Sequence, residues 1–262
     1  MRELILQELD KIEREENVKI LFCAEAGSRV WGFSSPNSDY DVRFVYIRPA
    51  EDYLRLDAIR DVIEWRLDDT MDIVGWDLQK ALRLLYHSNP TLSEWDRSPI
   101  VYRRTEEWDC ISETIRRWFA QGAEACYYTG VAKKNHREYL SGMTVRLKKY
   151  FYALRPILAC RWILKQNSPP PISIWDLMDA CLDTSVRPDV EKLLYMKMKG
   201  SELGTGHRID SINAYIERSI IELEKAVKRL PLSSEKPWND LNEAFLQTLK
   251  KAQHERSVIY EI

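Results

Sequence analysis

Glycine is scarce in this chain: there are nine among 262 residues, and only Gly27 and Gly32 come before Gly75. Glycine tolerates a positive φ and lets another group approach the backbone closely. Two glycines so near each other in a glycine-poor stretch indicate a backbone position with special requirements. They belong to the segment "AEAGSRVWGFSSPNSDYD", residues 24–41.

Long apolar runs are also missing. The chain has no stretch of 18 or more apolar residues, whereas a membrane-spanning helix needs about 20. Residues 1–20 are amphipathic and acidic, and they lack the continuous apolar run of a signal peptide. We therefore expect a cytoplasmic protein without a membrane partner.

Cysteine patterns of metal sites and disulfide frameworks are absent too. The five cysteines are odd in number and widely spaced, no C-x-x-C pair occurs, and the four histidines are not at zinc-finger spacings. This usage favours reduced thiols, most of them buried as small hydrophobic groups. The cysteines are Cys23, Cys110, Cys126, Cys160 and Cys181.

An excess of positive charge is the last missing feature. The formal net charge is −2 at pH 7, so the chain lacks the global basic footprint of many nucleic-acid-binding proteins. A local basic groove stays compatible with this value. Apolar residues make up 45% and charged residues 31% of the chain, which is typical of a globular protein with a normal core.

Hydrophobic periodicity predicts two structural regions. In residues 1–104 it predicts a first helix at 2–16, strands at 18–24, 39–47, 59–65 and 70–76, a short helix at 28–34, and a helix that Asp77 caps. From about residue 105 the pattern becomes helical. The predicted helices there are 105–120, 123–129, 135–165, 173–181, 189–198, 208–230 and 239–252, and the clearest loops are 168–171 and 199–207.

Two carboxylates lie one residue apart at the start of the predicted strand 39–47. The strand period of two puts Asp39 and Asp41 on one face. Carboxylates so close repel each other unless a cation compensates them, and hard oxygen ligands favour Mg²⁺ or Mn²⁺. Two such ions can clamp the attacking and leaving oxygens of a phosphoryl transfer, so the pair predicts a site for two ions.

The Gly-Ser turn before this strand has the features of a phosphate-binding loop. Gly27 lets backbone N–H groups approach an anion, Ser28 adds a hydroxyl donor, and a helix that begins here directs its positive end at a phosphate. Ser28 is equally explained as a helix N-cap, a role compatible with phosphate binding. Arg29 is a further candidate for a phosphate contact. Arg43 shares the strand face of the aspartates and either reaches a phosphate or balances the two carboxylates.

These residues carry a resemblance to a known superfamily. A Gly-Ser turn, a spacer of about ten residues and an Asp-x-Asp strand resemble the DNA-polymerase-beta-like nucleotidyltransferases. The blocks "GSRVWGFSSPNSDYDVRFVYIRP", "DIVGWDLQKALRLLYHSNPTLSEWDRSPIVY" and "KKYFYALRPILACRWI" resemble, more closely, the RNA-ligase-associated predicted nucleotidyltransferase family, also called YcgL-like. The resemblance runs over roughly residues 15–230. Ala26 and Val30 depart mildly from the commoner form "ESGSRAWG" of the motif.

The resemblance implies a fold and a third carboxylate. It implies an α+β protein in which a nucleotidyltransferase domain with a mixed sheet, residues 1–104, precedes an all-helical domain, residues 105–262, that closes the nucleotide cleft. The third carboxylate of the superfamily lies on a strand beside Asp-x-Asp, where it completes the metal site and helps to deprotonate the acceptor. Asp72 is the first choice because it interrupts an apolar strand. Glu64, Asp69 and Asp77 stay open as alternatives.

A basic and aromatic stripe in the helical region is a second part of the predicted site. Lys148, Tyr152 and Arg155 fall on one helix face by their i, i+4, i+7 spacing. Related enzymes hold the nucleotide between the sheet and a helical domain, so the resemblance implies phosphate contacts for the two basic residues and stacking for Tyr152. The alternative is a solvated basic face without a ligand.

Together these features predict a metal-dependent nucleotidyltransferase. It transfers a nucleoside monophosphate from a nucleoside triphosphate, with ATP favoured, to an acceptor hydroxyl and releases pyrophosphate, using two Mg²⁺ or Mn²⁺ ions. The association of the family with RNA ligases implies an RNA end as the acceptor, either a tRNA or a broken strand. A protein or small-molecule acceptor and a nucleotide-binding regulator without turnover are the alternatives. The sequence leaves the oligomeric state open.

Overall fold

The computed structural model describes residues 1–68, 70–200, 203–231 and 236–259. Asp69, one of the alternatives for the third carboxylate, lies outside the described residues. Within the described ranges, no helix is both long and apolar enough to cross a membrane.

Strands and helices alternate in the first part of the chain, and helices dominate the rest. The strands are β1 (Lys19–Glu25), β2 (Tyr40–Ile47), β3 (Val62–Leu67), β4 (Met71–Asp77), β5 (Val101–Arg104), β6 (Thr144–Arg146) and β7 (Thr205–His207). The helices are α1 (Arg2–Glu16), α2 (Gly27–Trp31), α3 (Ala50–Tyr53), α4 (Leu78–Tyr86), α5 (Thr91–Asp96), α6 (Glu107–Arg117), α7 (Gln121–Tyr139), α8 (Lys149–Gln166), α9 (Ile174–Cys181), α10 (Arg187–Met198), α11 (Asp210–Val227) and α12 (Asn239–Ile259).

The main sheet is mixed. It has five strands in the order β3-β4-β2-β1-β5. β2 runs parallel to β4, and the other neighbouring pairs are antiparallel. A mixed sheet with helices around it and a largely helical remainder confirm the predicted α+β class. Because β2 and β4 are parallel, the residues that begin them meet at one edge of the sheet.

The two faces of β2 enter different cores. Val42, Phe44 and Tyr46 are buried in one cluster with apolar side chains of α1. Val45 belongs to a second cluster, which includes side chains of α4, α6 and α12. Asp41 and Arg43 precede Val45 on this second face, since strand side chains alternate. The predicted alternation is confirmed, and it leaves a polar pair at the end of a face that helices otherwise cover.

The described chain divides into two compact units. The first comprises Met1–Gly27, Asp39–Trp118 and Lys236–Ile262, and so combines the mixed sheet with α6 and α12. The second comprises Ser28–Ser38 and Phe119–Glu235, and its core is built largely from buried side chains of α7, α8 and α11. The domain limits 1–104 and 105–262 that the sequence suggests stay a prediction.

The prediction of one helix over residues 135–165 is wrong. α7 ends at Tyr139 and α8 begins only at Lys149. Between them β6 pairs antiparallel with β7, which lies inside the predicted loop 199–207. Ser141-Gly142 is a poor helix sequence, and the β-branched Thr144 and Val145 favour extended backbone. Burial of Val145 stabilises the small sheet.

Residues 88–104 also contain structure that was not predicted. Pro90 immediately precedes α5, where a missing N–H removes no hydrogen bond. β5 follows Pro99 and pairs antiparallel with β1 at the edge of the sheet. Edge strands and helix starts are the positions that tolerate a proline nearby.

Candidate active site

Strand register brings two of the predicted carboxylates together. In the parallel pair of β2 and β4, Asp41 lies directly opposite Asp72. Asp39 immediately precedes β2 and shares the face of Asp41 by alternation. The predicted position of the Asp72 strand beside 39–47 is therefore confirmed, while the roles of the three carboxylates stay a prediction.

Arg43 bridges the two opposed carboxylates. Its Nη2 donates to Asp72 Oδ2 at 2.6 Å and to Asp41 Oδ1 at 3.1 Å. Its Nη1 donates to the backbone oxygens of Asp72 at 2.6 Å and of Val42 at 3.1 Å. The carboxylates are 23% and 24% exposed, so their mutual repulsion is only partly screened by water. The planar guanidinium compensates this repulsion and fixes where both groups lie.

Gly27 provides the space that the Asp41 carboxylate occupies. A Cβ added to Gly27 would lie 1.8 Å from Asp41 Oδ2 and 2.7 Å from Asp41 Cγ, and the φ of Gly27 is +62°. Any other residue would push this carboxylate out of its position, in addition to adopting a strained backbone. This clash explains why position 27 requires glycine, and the sequence alone does not reveal it. Its predicted contact with an anion stays a prediction.

Glu25 is a site residue that sequence reasoning missed. Its side chain is 1% exposed, and its Oε1 accepts the backbone N–H of Asp41 at 2.9 Å. Its Oε2 accepts a hydrogen bond from the Tyr102 hydroxyl. The pKa of Tyr102 is raised, mainly because the hydroxyl is buried and also because of this hydrogen bond. Ala26 N–H donates to the backbone oxygen of Asp41 at 2.8 Å. Both the N–H and the C=O of Asp41 are therefore held by hydrogen bonds. The sequence signal that could have identified Glu25 is a single carboxylate in an otherwise apolar strand.

Replacing Glu25 with Ala is expected to destabilise the protein by about 1–3 kcal/mol, because the part-buried N–H of Asp41 loses its acceptor. Glu25→Gln is the matched control. Its amide oxygen still accepts from Asp41, and its NH₂ group can donate to the Tyr102 hydroxyl. Urea denaturation measures both variants, and equal stability of Glu25→Ala and the unchanged protein would contradict this role of Glu25.

The alternatives for the third carboxylate lie elsewhere. Asp77 caps α4 by accepting from Gln79 N–H at 2.7 Å and also accepts from the Tyr53 hydroxyl at 2.8 Å. Burial raises its pKa, and it follows Asp72 by five residues on β4, about 17 Å along the strand. Glu64 is 55% exposed and pairs with Arg60. Among the described alternatives, only Asp72 lies beside Asp41.

Ser28 and Arg29 form part of the short helix α2. Ser28 is buried, and its backbone oxygen accepts from Phe33 N–H at 3.2 Å. Arg29 donates through Nη2 to the backbone oxygen of Ser38. Arg29 therefore stabilises the segment that leads to Asp39 in the sequence. The predicted phosphate contacts of both residues stay predictions.

Two of the three residues of the basic and aromatic stripe, Arg155 and Tyr152, contact the Trp31 ring. The Arg155 guanidinium lies 4.7 Å from the centre of the Trp31 ring, and the Tyr152 ring meets that ring edge-on at 5.7 Å. Arg155 is 4% exposed, so a solvated basic face does not describe it. Lys148 is exposed at the N-terminal end of α8. Binding of a nucleotide by these three residues stays a prediction.

The carboxylates do not form a ready-made metal cluster. Within the part of the chain that the structure describes, no three Asp, Glu, His or Cys side chains converge as metal ligands would. Arg43 lies between Asp41 and Asp72 instead. Asp72 Oδ1, however, is buried and has no hydrogen-bond partner among the described residues. A buried carboxylate oxygen without a partner is costly and fits a group that accepts a cation.

Comparison with known proteins places the chain in the class of polymerase-beta-like nucleotidyltransferases. The model of the RNA repair pathway DNA polymerase beta family (RlaP) matches residues 1–247, and the chain belongs to this family. The resemblance found in the motifs is confirmed. The chain is also similar to the "Uncharacterized protein YcgL" of Bacillus subtilis (strain 168), with 41% identity over 256 residues that cover 96% of this chain and 97% of the relative.

A solved structure also shows a weak likeness. The crystal structure of a nucleotidyltransferase-like protein from Exiguobacterium sibiricum 255-15 matches 86% of this chain and 74% of its own chain. The sequences are 14% identical and the TM-score is 0.32. Both values are too low for this likeness to support an argument about the fold or the site.

Proposed function

We propose that this protein transfers a nucleoside monophosphate from a nucleoside triphosphate to an acceptor hydroxyl, and that the acceptor is an RNA end. The observation that carries the proposal is the pair of opposed carboxylates, Asp41 and Asp72, held by Arg43 next to Gly27. Membership of the RNA repair pathway DNA polymerase beta family supports both the class of reaction and the choice of RNA. ATP is the proposed donor.

Asp39, Asp41 and Asp72 would hold the proposed Mg²⁺ or Mn²⁺ ions. The unpartnered Oδ1 of Asp72 and the three oxygen-donor side chains fit a hard cation. Such ions, when bound, neutralise charge on the reacting phosphate oxygens. Arg43 compensates Asp41 and Asp72 in the metal-free protein, so a cation that binds this pair competes with a guanidinium.

The residues of the chain then have distinct tasks. The acceptor oxygen forms a bond to the α-phosphorus, the bond from that phosphorus to the bridging oxygen breaks, and pyrophosphate leaves. Asp72 helps to take the proton of the acceptor hydroxyl. Glu25 holds the backbone of Asp41, which keeps that carboxylate in place during the reaction. We propose that the nucleotide is bound by Ser28, Arg29, Lys148, Tyr152 and Arg155.

Replacing Arg43 with Ala is expected to destabilise the metal-free protein by about 1–3 kcal/mol, because two part-buried carboxylates lose charged hydrogen bonds. Added Mg²⁺ should restore much of this loss, since a cation compensates the same carboxylates. Unfolding in urea with and without Mg²⁺ measures the effect. Arg60→Ala, which breaks an exposed pair with Glu64, is the matched control and should show no such recovery. An equal response of both variants to Mg²⁺ would contradict the competition.

The acceptor is tested by following label from [α-³²P]ATP. RNA oligonucleotides ending in a 3′-hydroxyl or a 3′-phosphate are compared with the protein itself and with small molecules that carry hydroxyl groups. The proposal predicts label only on RNA with a free hydroxyl. Label on a protein or small molecule would keep nucleotidyl transfer and remove the RNA acceptor, and bound but unreacted ATP in every mixture would favour a regulator.

A further inference from the structure

The second unit contains a cavity with two lysines in its wall. Its volume is about 380 Å³, within the range of roughly 300–1,000 Å³ that small-ligand sites span. Lys148 and Lys197 line it together with Ser35, Asn37, Gly200, Leu203 and Gly204. The described part of the lining contains no acidic residue. Two ammonium groups in the described part of the lining favour an anion between them.

Hydrogen bonds hold this cavity wall in place. Lys197 Nζ donates to Ser35 Oγ at 3.3 Å, and Ser35 is only 6% exposed. Ser38 Oγ accepts from Ser35 N–H at 2.9 Å, so the segment between the Gly-Ser turn and Asp39 folds onto itself. On the other side, Leu147 N–H donates to the backbone oxygen of Gly204 at 3.1 Å and ties the residue before Lys148 to the loop after α10.

The end of α8 adds to the positive potential of the cavity. Lys148 is the N-cap residue of this helix of 18 residues, and the N-terminus of a helix carries a partial positive charge. Asn37 and the hydroxyl of Ser35 supply neutral polar groups to the same cavity. Two ammonium groups, a hydroxyl, an amide and a helix N-terminus are the chemistry that recognises a phosphate group.

We propose that this cavity is a phosphate-binding subsite in which Lys148 and Lys197 bind a phosphate group together. The subsite rests on the proposed function for the source of that phosphate, which is either the triphosphate of the donor nucleotide or the backbone of the nucleic-acid acceptor. Lys197, Ser35 and Asn37 thereby join the residues that bind the reactants. None of them follows from the Gly-Ser and Asp-x-Asp motifs.

Binding to the full chain tests the subsite without turnover. Two probes are used: ATP, measured by calorimetry, and a fluorescent single-stranded RNA 12-mer, measured by anisotropy. The proteins are the unchanged chain, Lys148→Ala and Lys197→Ala, each also in an Asp41→Asn background that slows the proposed reaction. Lys192→Ala is the matched control, because Lys192 is exposed on the same helix as Lys197 and does not line the cavity.

Each cavity variant is expected to bind one of the two probes about tenfold more weakly or worse, because it loses one charged hydrogen bond. Weaker ATP binding with unchanged RNA binding assigns the triphosphate. Weaker RNA binding, with a salt slope smaller by about 0.7 per lost phosphate contact, assigns the acceptor. Affinities equal to those of Lys192→Ala for both probes would overturn the subsite. If the unchanged chain binds a probe, the cavity variants bind it more weakly, and no pyrophosphate is released, then nucleotidyl transfer is overturned and the subsite is retained.

Discussion

Asp41→Asn is expected to reduce pyrophosphate release by roughly 10²- to 10³-fold, the cost of removing one group that stabilises transition-state charge. Asn keeps the shape of the side chain and an oxygen that can accept from Arg43, but it loses the negative charge. The ion pair with Arg43 spans 3.1 Å and is partly exposed, so stability should change by only about 1 kcal/mol or less. Activity and stability are therefore expected to separate in this variant.

The control for this variant is Asp109→Asn. Asp109 is 68% exposed on α6 and pairs with Arg104. The substitution removes one charge from the same unit and should leave the rate of pyrophosphate release unchanged. Pyrophosphate release is measured for both variants with each nucleoside triphosphate and Mg²⁺. Equal rates for Asp41→Asn and the unchanged protein would exclude this carboxylate from the reaction.

Gly27→Ala is expected to reduce activity to the level of Asp41→Asn, although no charged group is changed. The new Cβ would lie 1.8 Å from Asp41 Oδ2, so the carboxylate has to leave its place beside Arg43. The left-handed backbone adds about 1–2 kcal/mol of strain for a residue other than glycine. Urea denaturation and pyrophosphate release together report both effects.

Gly32→Ala separates the backbone strain from the clash. Gly32 also has a positive φ, +87°, but its nearest neighbour would be Trp175 Cδ1 at 3.0 Å and not a carboxylate. We expect this variant to be destabilised and to keep far more activity than Gly27→Ala. In an Asp41→Ala background, Gly27→Ala should destabilise less, with a coupling of about 0.5–3 kcal/mol. If the destabilising effects of Gly27→Ala and Asp41→Ala are additive, the clash with Asp41 does not cause the loss of stability in Gly27→Ala.

The parts of the fold that the sequence predicts are those set by local pattern. The alternation of β2 follows from the period of a strand, and the N-cap of Asp77 follows from its position before an amphipathic run. The break between α7 and α8 was missed because residues on either side continue a helical pattern. β6 forms through pairing with β7, about 60 residues later in the chain, and a pairing at that distance has no local signal.

The site divides in the same way. Asp41 and Asp72 could be predicted as neighbours because the superfamily resemblance implies a third carboxylate on the strand beside Asp-x-Asp, and Asp72 interrupts an apolar strand. Glu25 could not, because its task depends on the N–H of Asp41 across the pair of β1 and β2. The side-chain clearance at Gly27 likewise depends on a carboxylate distant in the sequence. Arg155 was predicted as a basic group on a helix face, whereas burial beside Trp31 is a result of tertiary packing.

The reaction proposed for the Asp41–Asp72 site moves the α-phosphate of a nucleoside triphosphate to a hydroxyl. Parallel reactions with [α-³²P]ATP and [γ-³²P]ATP, Mg²⁺ and RNA bearing a 3′-hydroxyl distinguish this transfer from transfer of the γ-phosphate. We expect that only the α-label enters RNA, that pyrophosphate appears in equal amount, and that Asp41→Asn loses both products. Transfer of the γ-label, or equal α-label transfer by Asp41→Asn, would contradict the proposed reaction.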